Sequence, residues 1–476
     1  MQEKRIDVSV MEAFPEEKKA LVDQLLKEAV DKSRFKIVAL DDDPTGVQTV
    51  HGVHVYTDWT EDSIRAGFNE ENKLFFILTN SRGFTAEQTK KAHTEIAERI
   101  QKIYAETGIP YLIISRSDST LRGHFPLETE TLRQVYEKKT GGRVDGEILA
   151  PYFFEGGRFT LNNVHYVKYG RELVPAGETE FAKDETFGYT SSNMGEYIEE
   201  KTKGEYKASD VTFITLTELR TLDLDGIEGK IEAVHDFRKI VVNATDDYDV
   251  KVFAIALYRA LAKGRHFLIR SAAAMVKAMG NISTIPLLTK KDMVFSNATH
   301  GGVIVVGSHT KKTTAQLEML KSIESIHFIE MNSDLVLKPG ALEEETRRIL
   351  REENEYIEKG ITVCVSTKRQ LLKVENDTPE EALLRSVAIS DAVQKCVGEL
   401  TVAPSFVVAK GGITSSDVGI KALRVKRATV LGQIQPGVPV WGTDDESRFP
   451  GIPYVIFPGN VGEAETLRNA VQILMG

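Results

Sequence analysis

Residues 35–46 read Phe-Lys-Ile-Val-Ala-Leu-Asp-Asp-Asp-Pro-Thr-Gly, an apolar run that ends in three carboxylates and a turn. A short continuous apolar run bounded by turn formers is typical of a strand that is buried on both faces of a parallel sheet. In such sheets, ligands bind beyond the carboxyl ends of the strands. The stretch therefore predicts an α/β fold and a polar site that starts at Asp42 and Asp43.

Similar apolar runs recur along the chain in two series, and helical patterns lie between them. In the first series the candidate strands are 35–40, 52–57, 73–78, 111–115 and 146–149, and the candidate helices are 85–105, 126–138 and 249–263. In the second series the candidate strands are 302–306, 326–330, 361–365, 405–409 and 453–457, and the candidate helices are 341–358 and 380–399. This alternation predicts βαβ units and parallel sheets.

The length of 476 residues exceeds what one hydrophobic core usually organises. We therefore predict two α/β domains, 35–280 and 281–476, each with a mainly parallel sheet flanked by helices. Residues 1–34 form a predicted N-terminal helical extension, because Leu21, Leu25, Leu26 and Val30 have helical spacing.

Composition argues against nucleic-acid-binding and membrane proteins. The formal net charge is −10, with acidic and basic residues interspersed, which argues against a nucleic-acid partner. No apolar run approaches the roughly 20 residues that span a bilayer, so no membrane role is expected. The two cysteines, Cys364 and Cys396, form no disulfide framework, so a cytoplasmic location is expected. No metal-binding spacing such as C-x-x-C or H-E-x-x-H occurs, and no protein metal site is predicted.

Polar residues follow three strands of the first series. An isolated acidic turn is usually a helix cap, but three polar loops at successive strand ends favour a binding site. Arginine forks bind carboxylates and carboxylates accept hydrogen bonds from hydroxyls, so this composition suits a small polyhydroxylated anion. A structural salt bridge is an equal alternative for Arg158. The candidates are Asp42, Asp43, Arg82, Arg116, Ser117, Asp118, Ser119, Arg122 and Arg158.

The strand ends of the second series are rich in glycine and hydroxyl residues instead. Such loops let backbone amides approach a phosphate closely. Neither the P-loop pattern nor a G-x-G-x-x-G fingerprint occurs, which argues against a standard P-loop or dinucleotide-binding protein. The candidates for phosphate contact are Ser308, Gly411, Gly412, Ile413, Thr414, Gly437, Gly459 and Asn460.

Together these motifs resemble the four-carbon acid sugar kinase family. Residues 118–124, Asp-Ser-Thr-Leu-Arg-Gly-His, look like its DSTLRG segment, and 42–46 look like its DDxTG motif. The chain differs from the usual family pattern at Pro44, Arg116 and Ile413, where an aromatic residue, lysine and glutamate are usual. The resemblance implies a sugar-acid-binding N-terminal domain and a nucleotide-binding C-terminal domain.

The resemblance further implies ATP-dependent phosphorylation of a hydroxyl of a four-carbon sugar acid of the threonate, erythronate or oxo-tetronate type. ATP and Mg²⁺ are the implied cofactors. The sequence leaves the oligomeric state open, although dimers are common among such enzymes. We expect either Asp42 or Asp43 to accept the proton of the attacking hydroxyl. We also expect the active site in a cleft between the domains, with hinge closure that excludes water.

Two other functions are compatible with parts of the sequence. Residues 41–45 fit the D-x-D-x-T opening of haloacid-dehalogenase-like phosphatases, and 442–445 imitate their late acidic motif. A phosphatase of that type would leave the arginine and glycine loops unexplained. The other alternative is a non-catalytic sensor of a sugar acid and a nucleotide, suggested by Ile413 where the family usually has glutamate.

Overall fold

Buried strands alternate with helices along the chain in a computed structural model that describes residues 3–370, 372, 374, 377–459 and 461–476. The strands are β1 (Ile6–Asp7), β2 (Lys36–Asp41), β3 (His54–Tyr56), β4 (Leu74–Leu78), β5 (Tyr111–Arg116), β6 (Gly146–Ala150), β7 (Arg158–Leu161), β8 (Val164–Tyr169), β9 (Glu172–Pro175), β10 (Thr212–Ile214), β11 (Arg238–Val242), β12 (Phe267–Ser271), β13 (Val303–Val306), β14 (His327–Met331), β15 (Val363–Thr367), β16 (Val407–Lys410), β17 (Arg427–Gln435), β18 (Val438–Thr443) and β19 (Pro453–Phe457).

The helices are α1 (Glu16–Lys32), α2 (Glu61–Asn69), α3 (Ala86–Thr107), α4 (Leu127–Thr140), α5 (Met194–Lys201), α6 (Leu216–Thr221), α7 (Leu224–Glu232), α8 (Asp247–Ala262), α9 (Ala273–Met279), α10 (Lys311–Leu320), α11 (Ala341–Glu358), α12 (Pro379–Gly398), α13 (Gly412–Asp417) and α14 (Thr466–Met475). Among the described residues, none of these helices is long and apolar enough to cross a membrane.

The chain divides into two units. The first unit comprises Met1–Thr49 and Asp58–Ser283, and the second comprises Val50–Thr57 and Thr284–Gly476. The sequence places strand 52–57 in the first domain, whereas the structure assigns it to the second unit. The physical reason is that β3 pairs antiparallel with β17, which is more than 350 residues away along the chain. The residues around 52–57 do not indicate which distant strand they pair with.

The first unit is built on a parallel sheet in the order β10-β11-β6-β12-β5-β2-β4. Strands β2, β4, β5, β6 and β12 are buried along their whole length, as continuous apolar runs in a sheet covered on both faces should be. Asp41 lies opposite Arg116, and Arg116 lies opposite Ser271. This register brings the carboxyl ends of β2, β5 and β12 to one level, so the loops that follow them share one edge.

The N-terminal segment packs onto the first unit. Helix α1 packs against α8, and β1 pairs antiparallel with β9 in a small sheet of order β1-β9-β8-β7. The predicted apolar face of this helix needs correction, because the buried residues are Val22, Leu26 and Val30, whereas Leu21 is 46% exposed. The spacing of four residues between the buried positions is the true helical stripe.

The second unit contains a mixed sheet in the order β3-β17-β18-β19-β16-β13-β15-β14. The pairs from β19 to β14 are parallel, as predicted, and those from β3 to β19 are antiparallel. The sequence interpretation included neither β17 nor β18. Strand β17 alternates between buried and less buried residues, which is the pattern of a strand with one exposed face rather than a continuous apolar run.

Candidate functional site

The acid end, as we name the carboxyl edge of β2, β4, β5 and β12 in the first unit, centres on Arg82. Its guanidinium donates from Nη2 and Nε to the two oxygens of Asp42, at 2.7 and 3.2 Å. Nη1 donates to Asp43 Oδ2 at 3.1 Å. One planar fork therefore holds both predicted catalytic carboxylates, as arginine geometry allows and lysine geometry does not.

The two carboxylates differ in access. The Asp42 side chain is 2% exposed, and the Asp43 side chain is 22% exposed. Asp42 Oδ2 also accepts a hydrogen bond from Ser117 Oγ at 3.1 Å, and Asp43 Oδ1 accepts one from the Thr45 amide at 2.8 Å. Of the two, Asp43 is the carboxylate that a ligand reaches more readily.

The pKa values of the three consecutive aspartates also diverge. Burial raises the pKa of Asp41 to about 7, although Arg116 acts in the opposite direction. Burial likewise raises the pKa of Asp42, against the attraction of Arg82. At Asp43 the effect of burial is outweighed by Arg82 and by hydrogen bonds from Thr45, so its pKa lies below the ordinary value. Asp43 is therefore held ionised.

Arg116 lies inside the first unit rather than at its surface. Its side chain is 6% exposed, and Nη1 donates to Asp41 Oδ1 at 2.9 Å. Asp41 Oδ2 is buried without a hydrogen-bond partner among the described residues. The structure thus places this predicted substrate contact in an internal ion pair, beneath the carboxylates that face the loops.

Among the remaining residues of the 116–122 loop, Ser117 contacts Asp42 directly. Ser117 Oγ receives a hydrogen bond from Arg270 at 2.8 Å, and Arg122 Nε donates to Asp118 Oδ2 at 2.6 Å. Ser119 is buried, and its carbonyl oxygen lies 2.8 Å from His165 Nε2. Ser119 therefore fixes the loop through its main chain.

Arg158 has spare donor capacity. Its guanidinium lies 5.4 Å from the Phe181 ring, on which Arg122 also stacks at 5.2 Å. Its Nε is buried without a hydrogen-bond partner among the described residues, and burial lowers the pKa of the guanidinium. In the described part of the chain, no carboxylate lies within ion-pair distance of Arg158, so the structure does not support the alternative of a structural salt bridge. The guanidinium therefore has donors that no described residue uses, while the charge of Asp118 partly offsets the effect of burial.

Sequence reasoning missed two members of the acid end, Glu128 and Arg270. Glu128 accepts hydrogen bonds from Arg270 at 2.8 Å, from Ser81 at 2.7 Å and from Ser115 at 3.2 Å. Arg270 follows the apolar residues Phe267–Ile269 at a strand end, so the strand-end rule would have found it had β12 been recognised. Glu128 lies in the first turn of α4, where an acidic residue is ordinary and gives no signal.

The nucleotide end, as we name the loops after β13, β16 and β19 in the second unit, brings together four predicted residues. A Cβ added at Gly411 would lie 3.1 Å from Ser308 Cβ and 3.2 Å from Thr414 Oγ1. A Cβ at Gly459 would lie 3.1 Å from Ser308 Oγ. Gly411 also has φ +128°, which a side chain disfavours. The loops therefore approach each other so closely that a side chain at either glycine would need its neighbours to shift.

The other nucleotide candidates lie at the edges of this group. A Cβ at Gly412 would meet nothing within 4 Å, and the Ile413 side chain is 75% exposed. Gly437 lies in the β17–β18 turn, where its amide donates to Gln433 Oε1 at 2.6 Å. Asn460 lies outside the described residues.

A cavity of about 280 Å³ adjoins these loops within the second unit. It lies between α12 and the strand ends, and its lining includes Gly307, Thr367, Ile389, Ile413 and Thr414. A mixed apolar and hydroxyl lining of this kind is typical of pockets that take a small organic ligand.

The described residues contain no group of three histidine, cysteine, aspartate or glutamate side chains suited to a metal ion. Mg²⁺ needs only one or two carboxylates when nucleotide phosphates and water supply the other ligands.

Two family models match the chain, one in each of its two parts. A sugar-binding N-terminal domain model matches residues 37–279, and a nucleotide-binding C-terminal domain model matches 303–467. The chain belongs to the four-carbon acid sugar kinase family. Haemophilus influenzae protein HI1011 is similar to this member in fold, with 16% identity over 92% of this chain and 100% of that one and a TM-score of 0.59.

Two other solved structures align over similar lengths of this family member. A Salmonella typhimurium LT2 protein described as a "putative tRNA synthase" shares 14% identity over 91% of this chain and 98% of that one, with a TM-score of 0.63. A Bordetella bronchiseptica protein with bound citrate, a domain-swapped dimer, shares 18% identity over 92% and 98%, with a TM-score of 0.40. No curated protein matches the chain.

Proposed function

We propose that this protein transfers the γ-phosphoryl group of ATP, with Mg²⁺, to a hydroxyl of a four-carbon sugar acid such as threonate, erythronate or an oxo-tetronate. The observation that carries the proposal is the Arg82 fork, which fixes one buried and one accessible carboxylate side by side at the carboxyl edge of the sheet. Phosphoryl transfer asks the protein mainly for positioning and for charge stabilisation, together with an acceptor for the hydroxyl proton.

The difference in exposure between the Asp42 and Asp43 side chains suggests different roles for them. Asp43 is the accessible carboxylate, so we assign it to the substrate hydroxyl, whose proton it accepts as the phosphoryl group arrives. Its lowered pKa keeps it ionised, so its oxygens are free to accept a hydrogen bond from the hydroxyl. Asp42 is buried against Arg82 and Ser117, so its role is to orient Arg82.

The carboxylate of the acid needs a cationic partner at the same edge. Arg158 supplies one, because its guanidinium has donors to spare and already stacks on Phe181. The Asp118–Arg122 pair lies beside it and offers further hydrogen bonds to hydroxyl groups. Glycine and hydroxyl residues at the nucleotide end support ATP as the phosphoryl donor.

The phosphatase alternative fits the structure less well. In the D-x-D-x-T motif the first aspartate is the nucleophile and must reach the substrate phosphorus. Asp41 is 1% exposed, and its carboxylate lies against Gly46, where an added Cβ would be 1.9 Å away. The buried position of Asp41 therefore supports the kinase over the phosphatase.

The test is a coupled ADP-release screen of the full-length protein over four-carbon sugar acids, with ATP and Mg²⁺. We expect acid-dependent ADP formation and a phosphorylated acid as product. Asp43→Asn should lower kcat by about 10²-fold with little change in KM for the acid, because it removes the proton acceptor. Asp42→Asn should change both constants, because it frees Arg82.

Each alternative predicts a different result in the same screen. Tight binding of acid and nucleotide without ADP formation would identify a sensor. Phosphate release from a phosphorylated acid without nucleotide would identify a phosphatase. If Asp43→Asn turned over at the wild-type rate, the role assigned to Asp43 would be wrong even if the kinase activity stood.

A further inference from the structure

Two cationic side chains, one fully buried and one half-buried, lie among the loops of the nucleotide end, and neither has a carboxylate within ion-pair distance in the described part of the chain. They are Lys410, the last residue of β16, and Arg369, which follows β15. Buried cations in proteins are ordinarily paired. Lys239 in the first unit shows the usual arrangement, since its Nζ lies 2.8 Å from Glu147 Oε2.

Lys410 connects all three loops of the nucleotide end. Its main-chain carbonyl accepts hydrogen bonds from the amides of Gly307 and Ser308, at 3.2 and 3.3 Å. Its side chain is fully buried, lies 4.3 Å from the Phe457 ring and donates to the carbonyl oxygen of Pro458. The residue thus fixes the loops after β13 and β19 while it begins the glycine loop after β16.

Arg369 holds the β13 loop from the other side. Its Nη2 donates to the carbonyl oxygen of Ser308, and also to Thr314 Oγ1 at 3.3 Å. Its Nε and Nη1 are buried without a hydrogen-bond partner among the described residues. Ser308 is therefore held by a cation at its carbonyl and by Lys410 at its amide.

Burial acts against the positive charge of both groups. Burial, with a smaller contribution from Lys312, lowers the pKa of Lys410 to about 7. Burial also lowers the pKa of Arg369. A polyphosphate bound at the loops would reverse these effects, because a nearby anion favours the charged form.

We propose that Lys410 and Arg369 are positioning residues for nucleotide binding: each holds a phosphate-binding loop by a carbonyl oxygen, and the positive charge of each favours a bound polyphosphate. This inference rests on the proposed function and adds residues that the strand-end motifs did not include. It predicts that nucleotide affinity depends on two side chains outside the glycine and hydroxyl positions.

The test measures ADP binding to full-length protein in the presence of Mg²⁺ by calorimetry, between pH 7 and pH 9. Lys410→Met and Arg369→Met should each raise the Kd for ADP at pH 7 at least tenfold. The wild-type Kd should rise with pH by up to tenfold per unit, because free Lys410 loses its proton above pH 7 and ADP binding must restore it. The phosphates of ADP are already ionised in this range. Lys410→Met should show no such pH dependence.

Lys321→Met is the matched control. Lys321 follows the C-terminal end of α10, pairs with Glu318 and is half-exposed, so its loss should leave the Kd unchanged. Melting temperatures of all variants separate a folding defect from a binding defect. A merely structural lysine would lower the melting temperature and leave the pH profile of the Kd as in the wild type.

Four outcomes would overturn the inference. A Kd within twofold of wild type in both folded variants contradicts it directly. If a variant fails to fold, a wild-type Kd that stays flat from pH 7 to pH 9 contradicts it for Lys410, and a wild-type Kd in Arg369→Lys contradicts it for Arg369. If the wild type binds no ADP at all, the proposed function fails, and the inference fails with it.

Discussion

Gly46 illustrates how one missing side chain permits the acid end to form. A Cβ at this position would lie 1.9 and 2.1 Å from the two carboxylate oxygens of Asp41. Asp41 cannot easily move aside, since it is buried and held by Arg116 at 2.9 Å. We expect Gly46→Ala to reduce the free energy of unfolding by about 1–3 kcal/mol, the usual range for overpacking, and to reduce ADP release at least tenfold.

Gly83→Ala is the matched control, because Gly83 adjoins Arg82 but a Cβ there would meet nothing within 4 Å. It should remain within about 0.5 kcal/mol of wild type in a urea titration, as surface substitutions usually do. Equal stability of the two alanine variants would show that the Asp41 carboxylate does not lie against Gly46.

At the residue scale, the sequence predicted which loops carry polar side chains but not where those side chains point. Arg82 follows β4 and Arg116 ends β5, yet the first bridges two aspartates at the edge and the second is buried beneath them. Side-chain direction depends on packing from distant segments. The binding roles assigned to these residues stay predictions.

Helix α11 carries a buried acid with an unusual environment. Both carboxylate oxygens of Glu353 lack a hydrogen-bond partner among the described residues, and burial raises its pKa well above 4.5. The unfolded chain ionises this group near pH 4.5, whereas the folded chain keeps it protonated. The free energy of unfolding therefore falls as pH rises above 4.5, by at most about 1.4 kcal/mol per pH unit, until the folded pKa is passed.

Glu353→Gln removes this loss because glutamine does not ionise. Urea titrations at pH 5, 6.5 and 8 should show the variant gaining stability relative to wild type as pH rises. Glu344→Gln, on the exposed face of the same helix, should follow the wild-type curve at every pH. A stability difference for Glu353→Gln that does not vary with pH would mean that the folded protein leaves Glu353 ionised.

At the element scale, continuous apolar runs and helical periodicity were sufficient for most of the parallel strands and long helices. The prediction of 341–358 coincides with α11, and 453–457 coincides with β19. Some of the elements that were missed have a pattern that comes from partial burial, such as β17, or a short length, such as β10, but β12 was missed although it is a fully buried strand of five residues. Partly buried or short strands are specified by their pairing partners more than by their own composition.

At the scale of the whole molecule, the two α/β units and the family could be predicted from the sequence because strand-end motifs recur in chain order. The assignment of Val50–Thr57 to the second unit could not be predicted from the sequence. Its three strand residues pair with β17 through Arg427, Ala428 and Thr429, and no local pattern distinguishes that partner from a strand of the first unit.

Because β3 belongs to the second unit, a fragment cut at the boundary between the units loses one of its strands. A fragment that starts at Thr284 lacks β3, so β17 keeps β18 as a partner but becomes an exposed edge strand on its other side, and such edges promote aggregation. The amides of Gly52 and Thr57 bond to Val430 and Lys426 in the intact chain, at 2.8 and 3.0 Å. We expect fragment 284–476 to aggregate in sedimentation experiments, and a synthetic peptide of residues 48–59, added in trans, to reduce that aggregation. A scrambled peptide should have no effect, whereas a monomeric fragment without any peptide would show that β3 is dispensable to the second unit.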